Sequence, residues 1–220
     1  MGTLFNFEGK FMQAIKKITD SLYLSILWFL FSLPIITIGA STTALYYTVN
    51  KTIRHGRGYI FASFWDSFKT SFIQTTISWI VLIICYLIAG IDILFLHMRM
   101  PLFEKPAYNY IIYGLLLGMI IMWQLYVFPY IARFEDTTKT CLKNALRMMV
   151  ANFVNSIKLL VIFLISTIIF IIFPPLIAVI PVLYTMVSHA ILERVFRKYI
   201  SPEELALEEE RNRTYDDEND

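Results

Sequence analysis

Apolar residues run along this chain in long unbroken blocks rather than in alternating stripes. No Asp, Glu, Lys or Arg lies between Asp20 and Lys51, Lys69 and Asp92, Lys105 and Arg133, or Lys158 and Glu193. These blocks are 30, 22, 27 and 34 residues long. About 20 apolar residues in a helix cross the hydrocarbon core of a bilayer. The pattern therefore predicts an all-α fold, an integral membrane helical bundle. The first and last blocks are too long for single spans, since 30 residues of helix measure about 45 Å against a core of about 30 Å. Both carry proline near the middle: Leu33-Pro34 in the first, Pro174-Pro175 with Pro181 further on in the last. Proline removes a helical hydrogen bond and restricts the residue before it. Each block then reads as a hairpin of two spans, the alternative being one long kinked helix. Six spans follow, at about 20–33, 36–54, 71–96, 107–131, 155–173 and 176–194.

The distribution of Lys and Arg separates these alternatives, because cytoplasmic loops carry the excess of positive charge. Six spans with the N-terminus inside place 17 of the 19 basic residues in the cytoplasm. Four spans split them 10 to 9, and a hairpin at the last block alone gives 14 to 5 at best. The expectation is a membrane protein with six spans and both termini cytoplasmic. The second span is small and polar, with Gly39, Ala40, Ser41, Thr42, Thr43 and Asn50, which suits close packing against other helices. The first could begin earlier, as an amphipathic helix near Phe11 along the membrane surface.

The two long cytoplasmic loops share a motif. Phe61, Trp65, Phe68 and Phe72 step by 4, 3 and 4, as do Leu142, Leu146, Met149 and Phe153. That spacing marks one face of a helix. The sets are offset by 81 residues, and the same shift lays 36–54 over 117–135 and 71–96 over 152–177. A parallel internal repeat of span, amphipathic helix and span is one reading; chance amphipathicity is the other. The two helices are expected to lie on the inner leaflet, with Lys69, Lys143 and Arg147 meeting anionic head groups, or to dock a partner. Phe61, Trp65, Phe68, Lys69, Leu142, Leu146, Arg147 and Met149 are the residues that would make those contacts.

Composition agrees with a membrane class: 57% hydrophobic, 16% charged, mean hydropathy +0.61. A soluble domain carries about 25% charged residues. A soluble enzyme core, a secreted disulfide scaffold and a nucleic-acid-binding domain are excluded as main readings. A disulfide between Cys85, mid-span, and Cys141, placed in a polar loop, is not expected. A leader cleaved after Ile38-Gly39-Ala40 would be unusually long, with its apolar run starting late. From Ser201 onward the net charge is −7, leaving +9 for residues 1–200. This divides the chain into a membrane domain over 1–200 and an acidic cytoplasmic tail over 201–220. Ser201-Pro202-Glu203-Glu204 fits an N-cap, an N1 proline and a capping-box glutamate. It predicts a short helix near 202–212 followed by disorder.

Candidate chemistry is sparse. The sequence has no His-Glu-x-x-His, Gly-x-Ser-x-Gly, P-loop or Gly-x-Gly-x-x-Gly. Its three histidines lie in separate segments, so no metal site, cofactor site or enzyme activity is expected. Asp92 is an intramembrane carboxylate, costly unless paired or hydrated. It reads as a proton or substrate contact, or as a group near the outer interface, solvated or paired with His97 or Arg99. His189, Glu193 and Arg197 form an i, i+4 ladder, which the sequence alone assigns to a solvated or snorkelling face. Gln74, Gln124 and Asn155 suit helix-to-helix hydrogen bonds.

Gly2-Thr3-Leu4-Phe5-Asn6 and the stretch Leu33-Pro34-Ile35-Ile36-Thr37-Ile38-Gly39-Ala40-Ser41-Thr42-Thr43-Ala44-Leu45-Tyr46-Tyr47 resemble the YesL family of bacterial membrane proteins. Gly58-Tyr59-Ile60-Phe61 and Ser67-Phe68-Lys69 continue the pattern. The resemblance covers about residues 2–200 and is specific over the first 70. It implies a multi-pass plasma-membrane protein whose genes neighbour carbohydrate ABC importers, glycan-degrading enzymes and two-component regulators. It carries no catalytic or binding residues. The function it implies is an accessory subunit that contacts the permease or ATPase of a carbohydrate importer. An independent small transporter is the alternative, and a regulatory partner of a two-component sensor the second. Pro34, Thr37, Gly39, Ser41, Thr42, Thr43, Tyr46, Tyr47 and Asp92 are the candidate functional residues.

Overall fold

The computed structural model describes residues 2–99 and 107–217. Among them are eight α-helices and no strands, a helical bundle. Three helical stretches are long and apolar enough to cross a membrane: Ile60–Phe95, Asn109–Arg133 and Phe153–Ile172. The chain is a helical membrane protein.

Both proline-broken blocks turn where expected. Helix α1 (Gly2–Ser32) ends just before Pro34, and a 3-10 turn (Ile35–Thr37) leads into α2 (Ile38–Thr48). Thr37 Oγ1 donates to the carbonyls of Phe31 and Pro34, at 2.6 and 2.7 Å, which satisfies acceptors that the broken helix leaves open. The second turn is a 3-10 segment (Pro174–Ala178) between α6 (Phe153–Ile172) and α7 (Ile180–Phe196). A π-helical turn (Val49–Arg54) extends α2 to the loop, where Gly56 and Gly58 hold the left-handed φ values of +66° and +73°.

Helix α2 packs tightly because its side chains are small. Gly39, Ala40, Ser41, Thr43 and Ala44 are all buried. A Cβ on Gly39 would lie 2.8 Å from the Phe128 ring and 3.0 Å from the Thr75 carbonyl. Trp79 Nε1 donates to the Ile35 carbonyl at 2.7 Å, and Thr43 Oγ1 to the Phe128 carbonyl at 3.4 Å. Close backbone approach of this kind is how helices associate in lipid, where hydrophobicity does not drive them together.

Several expected boundaries move. The amphipathic segment after the first loop does not lie apart from the third span: α3 (Ile60–Arg99) is one helix of 40 residues. Its first turns therefore form no separate surface helix. They instead pack an aromatic cluster, with the Phe31 ring 5.1–5.6 Å from those of Phe64, Trp65 and Phe68. The expected surface helix near Phe11 is likewise continuous with the first span in α1. Cys141 is not in a loop but is buried in α5 (Thr138–Ala151), which follows α4 (Ala107–Arg133). The tail helix α8 (Pro202–Asp217) runs past the expected limit, so the disorder placed after 212 is not found through 217. Its start is as expected: the Ser201 amide donates to Glu204 Oε2 and the Glu204 amide to Ser201 Oγ.

The repeat is visible in burial. Ile60, Phe64, Ser67, Phe68, Thr75 and Ser78 are buried on α3. Shifted by 81, they become Cys141, Ala145, Met148, Met149, Ser156 and Leu159, all buried on α5 and α6, whereas the buried Ser63, Trp79, Leu82 and Ala89 fall on Asn144, Leu160, Phe163 and Phe170, which are not buried. The copies also differ at a joint. The second is broken at Asn152, whose side chain donates to the Met148 carbonyl and competes with the helical ladder.

Candidate functional site

Helices α1, α2, α4, α6 and α7 contact one another in sequence around a ring: α1 with α2, α2 with α4, α4 with α6, α6 with α7, α7 with α1. Helix α3 packs outside against α2 and α4, and α5 against α4. The ring surrounds a half-open cavity of about 530 Å³. Thr42, Tyr46, Thr185 and Ser188 line its buried end, with Gln124 beside them. Phe29, Leu33, Phe170 and Ile177 line the end near the two hairpins, where Leu33 and Phe170 are exposed. Trp28 closes one wall, its Nε1 donating to Thr42 Oγ1 at 3.3 Å. No Asp, Glu, Lys, Arg or His is among the lining residues.

Behind the Tyr46 wall sits a polar cluster. The Tyr46 and His189 rings stack with centroids 5.0 Å apart. An Arg54 guanidinium nitrogen lies 2.6 Å from His189 Nδ1. Arginine only donates, so Nδ1 accepts and the ring proton resides on Nε2. That nitrogen is 4.0 Å from Glu193 Oε2. Arg133 bonds Glu193 at 3.1 Å and Glu208 of α8, while Arg197 lies 3.8 Å from Glu209. The hydroxyl of Tyr46, Nε2 of His189, Oε2 of Glu193 and Nε of Arg133 are buried without a hydrogen-bond partner among the described residues. Ends of α2, α4, α7 and the tail helix thus converge on one set of charges.

The expectation for His189 is corrected here. It is only 2% exposed, not on a solvated ladder, because α2 and the π-helical turn after it cover that face of α7. Sequence spacing showed the ladder but not its partners, which lie 135 and 60 residues away in Arg54 and Arg133.

The candidate stretch divides. Thr42 and Tyr46 reach the cavity. Gly39, Ser41 and Thr43 are buried, with Gly39 and Thr43 turned to α3 and α4, and Pro34 and Thr37 build the turn. Tyr47 accepts a hydrogen bond from Lys51 Nζ at 3.3 Å. Asp92 is exposed on α3 and lines no part of the cavity; the side chains of His97 and Arg99 lie outside the described residues.

Residues 21–93 match a family model described as a protein of unknown function, DUF624. The matched stretch runs from the second half of α1 through α2 and most of α3. It thus holds Tyr46, Arg54 and one wall of the cavity. No curated protein and no solved structure matches the chain.

The expected surface residues also divide. Phe61, Lys69, Leu146 and Arg147 are exposed, and Lys69 Nζ sits 5.0 Å from the Trp65 ring centre. Trp65 and Leu142 are half-buried, and the Leu142 carbonyl accepts from Trp123 Nε1 at 3.0 Å. Phe68 and Met149, 8% and 1% exposed, are core residues and cannot meet lipid or a partner. The inward face of α5 is Cys141, Ala145, Met148 and Met149, one step round the helix from the expected stripe. Gln74 Nε2 donates to the Asp136 carbonyl and to Cys141 Sγ, and Gln124 Oε1 accepts from Tyr86, the interhelical roles expected of them. Burial, then the Asp136 carboxylate nearby, push the Cys141 thiol up to about 11.

Proposed function

We propose that the chain is a six-span protein of the bacterial plasma membrane, with both termini cytoplasmic, acting as an accessory subunit of a carbohydrate (oligosaccharide) ABC importer. The convergence of Arg54, Arg133, Glu193 and Glu208 carries the topology. It brings the ends of α2, α4 and α7 together with the middle of α8, in keeping with six spans, and the basic residues favour that side as the cytoplasm. There α5 offers exposed Leu146, Arg147 and Val150, and α8 an acidic surface, to a permease or ATPase. The resemblance of Pro34 to Tyr47 to the YesL family supplies the importer context. The test is purification of the C-terminally tagged chain in mild detergent from its native host grown on plant-polysaccharide oligosaccharides. An importer permease or ATPase at near-equal abundance supports the reading. Recovery of the chain alone overturns it.

The cavity favours a second reading, a small permease working by itself. Buried ionisable groups beside a central cavity suit that class. Uptake by proteoliposomes holding only this chain, lost on filling the cavity with Thr167→Phe, supports it. Absence of uptake in the wild type overturns it.

A further inference from the structure

Five hydroxyls around the cavity have already spent their protons. Thr42 donates to the Ile38 carbonyl, Ser166 to Ile162, Thr167 to Phe163, Thr185 to Pro181 and Ser188 to Thr185. Each leaves oxygen lone pairs free for a guest. Two hydroxyls differ: Ser32 Oγ and the Tyr46 hydroxyl belong to lining residues, are buried and have no partner among the described residues. The remaining wall is largely aromatic and aliphatic, including Trp28, Phe128, Phe163 and Tyr184.

These features select a guest. An apolar body matches the walls, and a donor such as a hydroxyl matches the lone pairs. A charged guest would lose its hydration with no lining residue of opposite charge to replace it. An oligosaccharide would bring more hydroxyls than this lining can pair. We propose that the cavity is a binding site for an uncharged alcohol with an apolar body, its hydroxyl held by Ser32 and the neighbouring acceptor oxygens. Two sources share this chemistry: a soluble long-chain or ring alcohol, and a membrane lipid with a free hydroxyl such as a diacylglycerol. The site is independent of any importer partner, so failed co-purification leaves its test unaffected.

The test is binding of tritiated 1-decanol to the full chain in phosphatidylethanolamine/phosphatidylglycerol nanodiscs, with protein-free nanodiscs correcting for partition. Saturable binding of one alcohol per chain is expected. Thr167→Phe, which fills the cavity, abolishes it. Ser32→Ala weakens it about fivefold or more, with the melting temperature of the empty protein unchanged, because Ser32 Oγ has no internal bond to lose. Binding no greater than partition, or binding indifferent to Ser32→Ala, overturns the proposal. If Thr167→Phe does not fold, the Ser32 comparison still decides. The lipid source is read by mass spectrometry of extracts from the purified chain. Retained diacylglycerol that Thr167→Phe lacks assigns the site to the bilayer, and decanol binding without retained lipid assigns it to a soluble alcohol.

Discussion

Two residues show how space and charge act singly. Gly39 has no room for a methyl group, since the Thr75 carbonyl and Phe128 ring both lie within 3.0 Å of where it would sit. Gly39→Ala should cost about 1–3 kcal/mol, as overpacking does, and lower the detergent melting temperature. An unchanged melt would mean that α2 is not so closely held. Cys141 tests burial through reactivity. Only the thiolate attacks a maleimide, and a thiol pushed up to about 11 is almost wholly protonated at pH 7. In a Cys85→Ser background labelling should be slow at pH 7 and rise steadily between pH 8 and 10; rapid, complete labelling at pH 7 would sink this account. The small polar run of α2 was readable as a packing surface, because Gly, Ser and Thr have no other obvious use in a span. The burial of His189 was not, since its cover comes from helices far away in sequence.

At the level of elements, charge blocks and prolines located nearly every helix, because desolvation and the missing proline donor act locally. They could not show that α3 is continuous. A stripe at helical spacing looks the same whether its helix ends or runs on. Stripes also left the facing partner undetermined, hence the one-step error on α5. Helix α8 makes a separable prediction. Its Glu208 meets Arg133, both side chains about one-fifth exposed. Glu208→Lys should release it, raising amide exchange over residues 203–210 about fivefold, in line with about 1 kcal/mol for a partly exposed pair. Glu208→Gln, which keeps the shape and loses the charge, should raise exchange by less. Equal exchange in all three proteins would mean that other contacts seat the helix.

At the scale of the whole molecule, the 81-residue offset was legible as a pattern, and burial gives it structural content. The cavity was not legible, because a ring is closed by pairs such as α1 with α7 that no local signal joins. The proposed six-span arrangement predicts that single cysteines in the loops at 56 and 135 are shielded from a membrane-impermeant maleimide in intact cells. Cysteines at 34, 103 and 175 should be labelled; the reverse pattern at 34 or 175 would remove a hairpin from the membrane. The closed ring also bears on how the protein is made. Ribosomes deliver α1 first and α7 and α8 last, so Arg54 and Arg133 enter the nascent structure before His189, Glu193 and Glu208 exist to pair with them. Until then the half-built bundle holds unbalanced cations beside an open lipid-facing seam, and the final helices act as the closing stave. A ribosome stalled after α6 should therefore leave a product that membrane quality control degrades, however complete its longest spans.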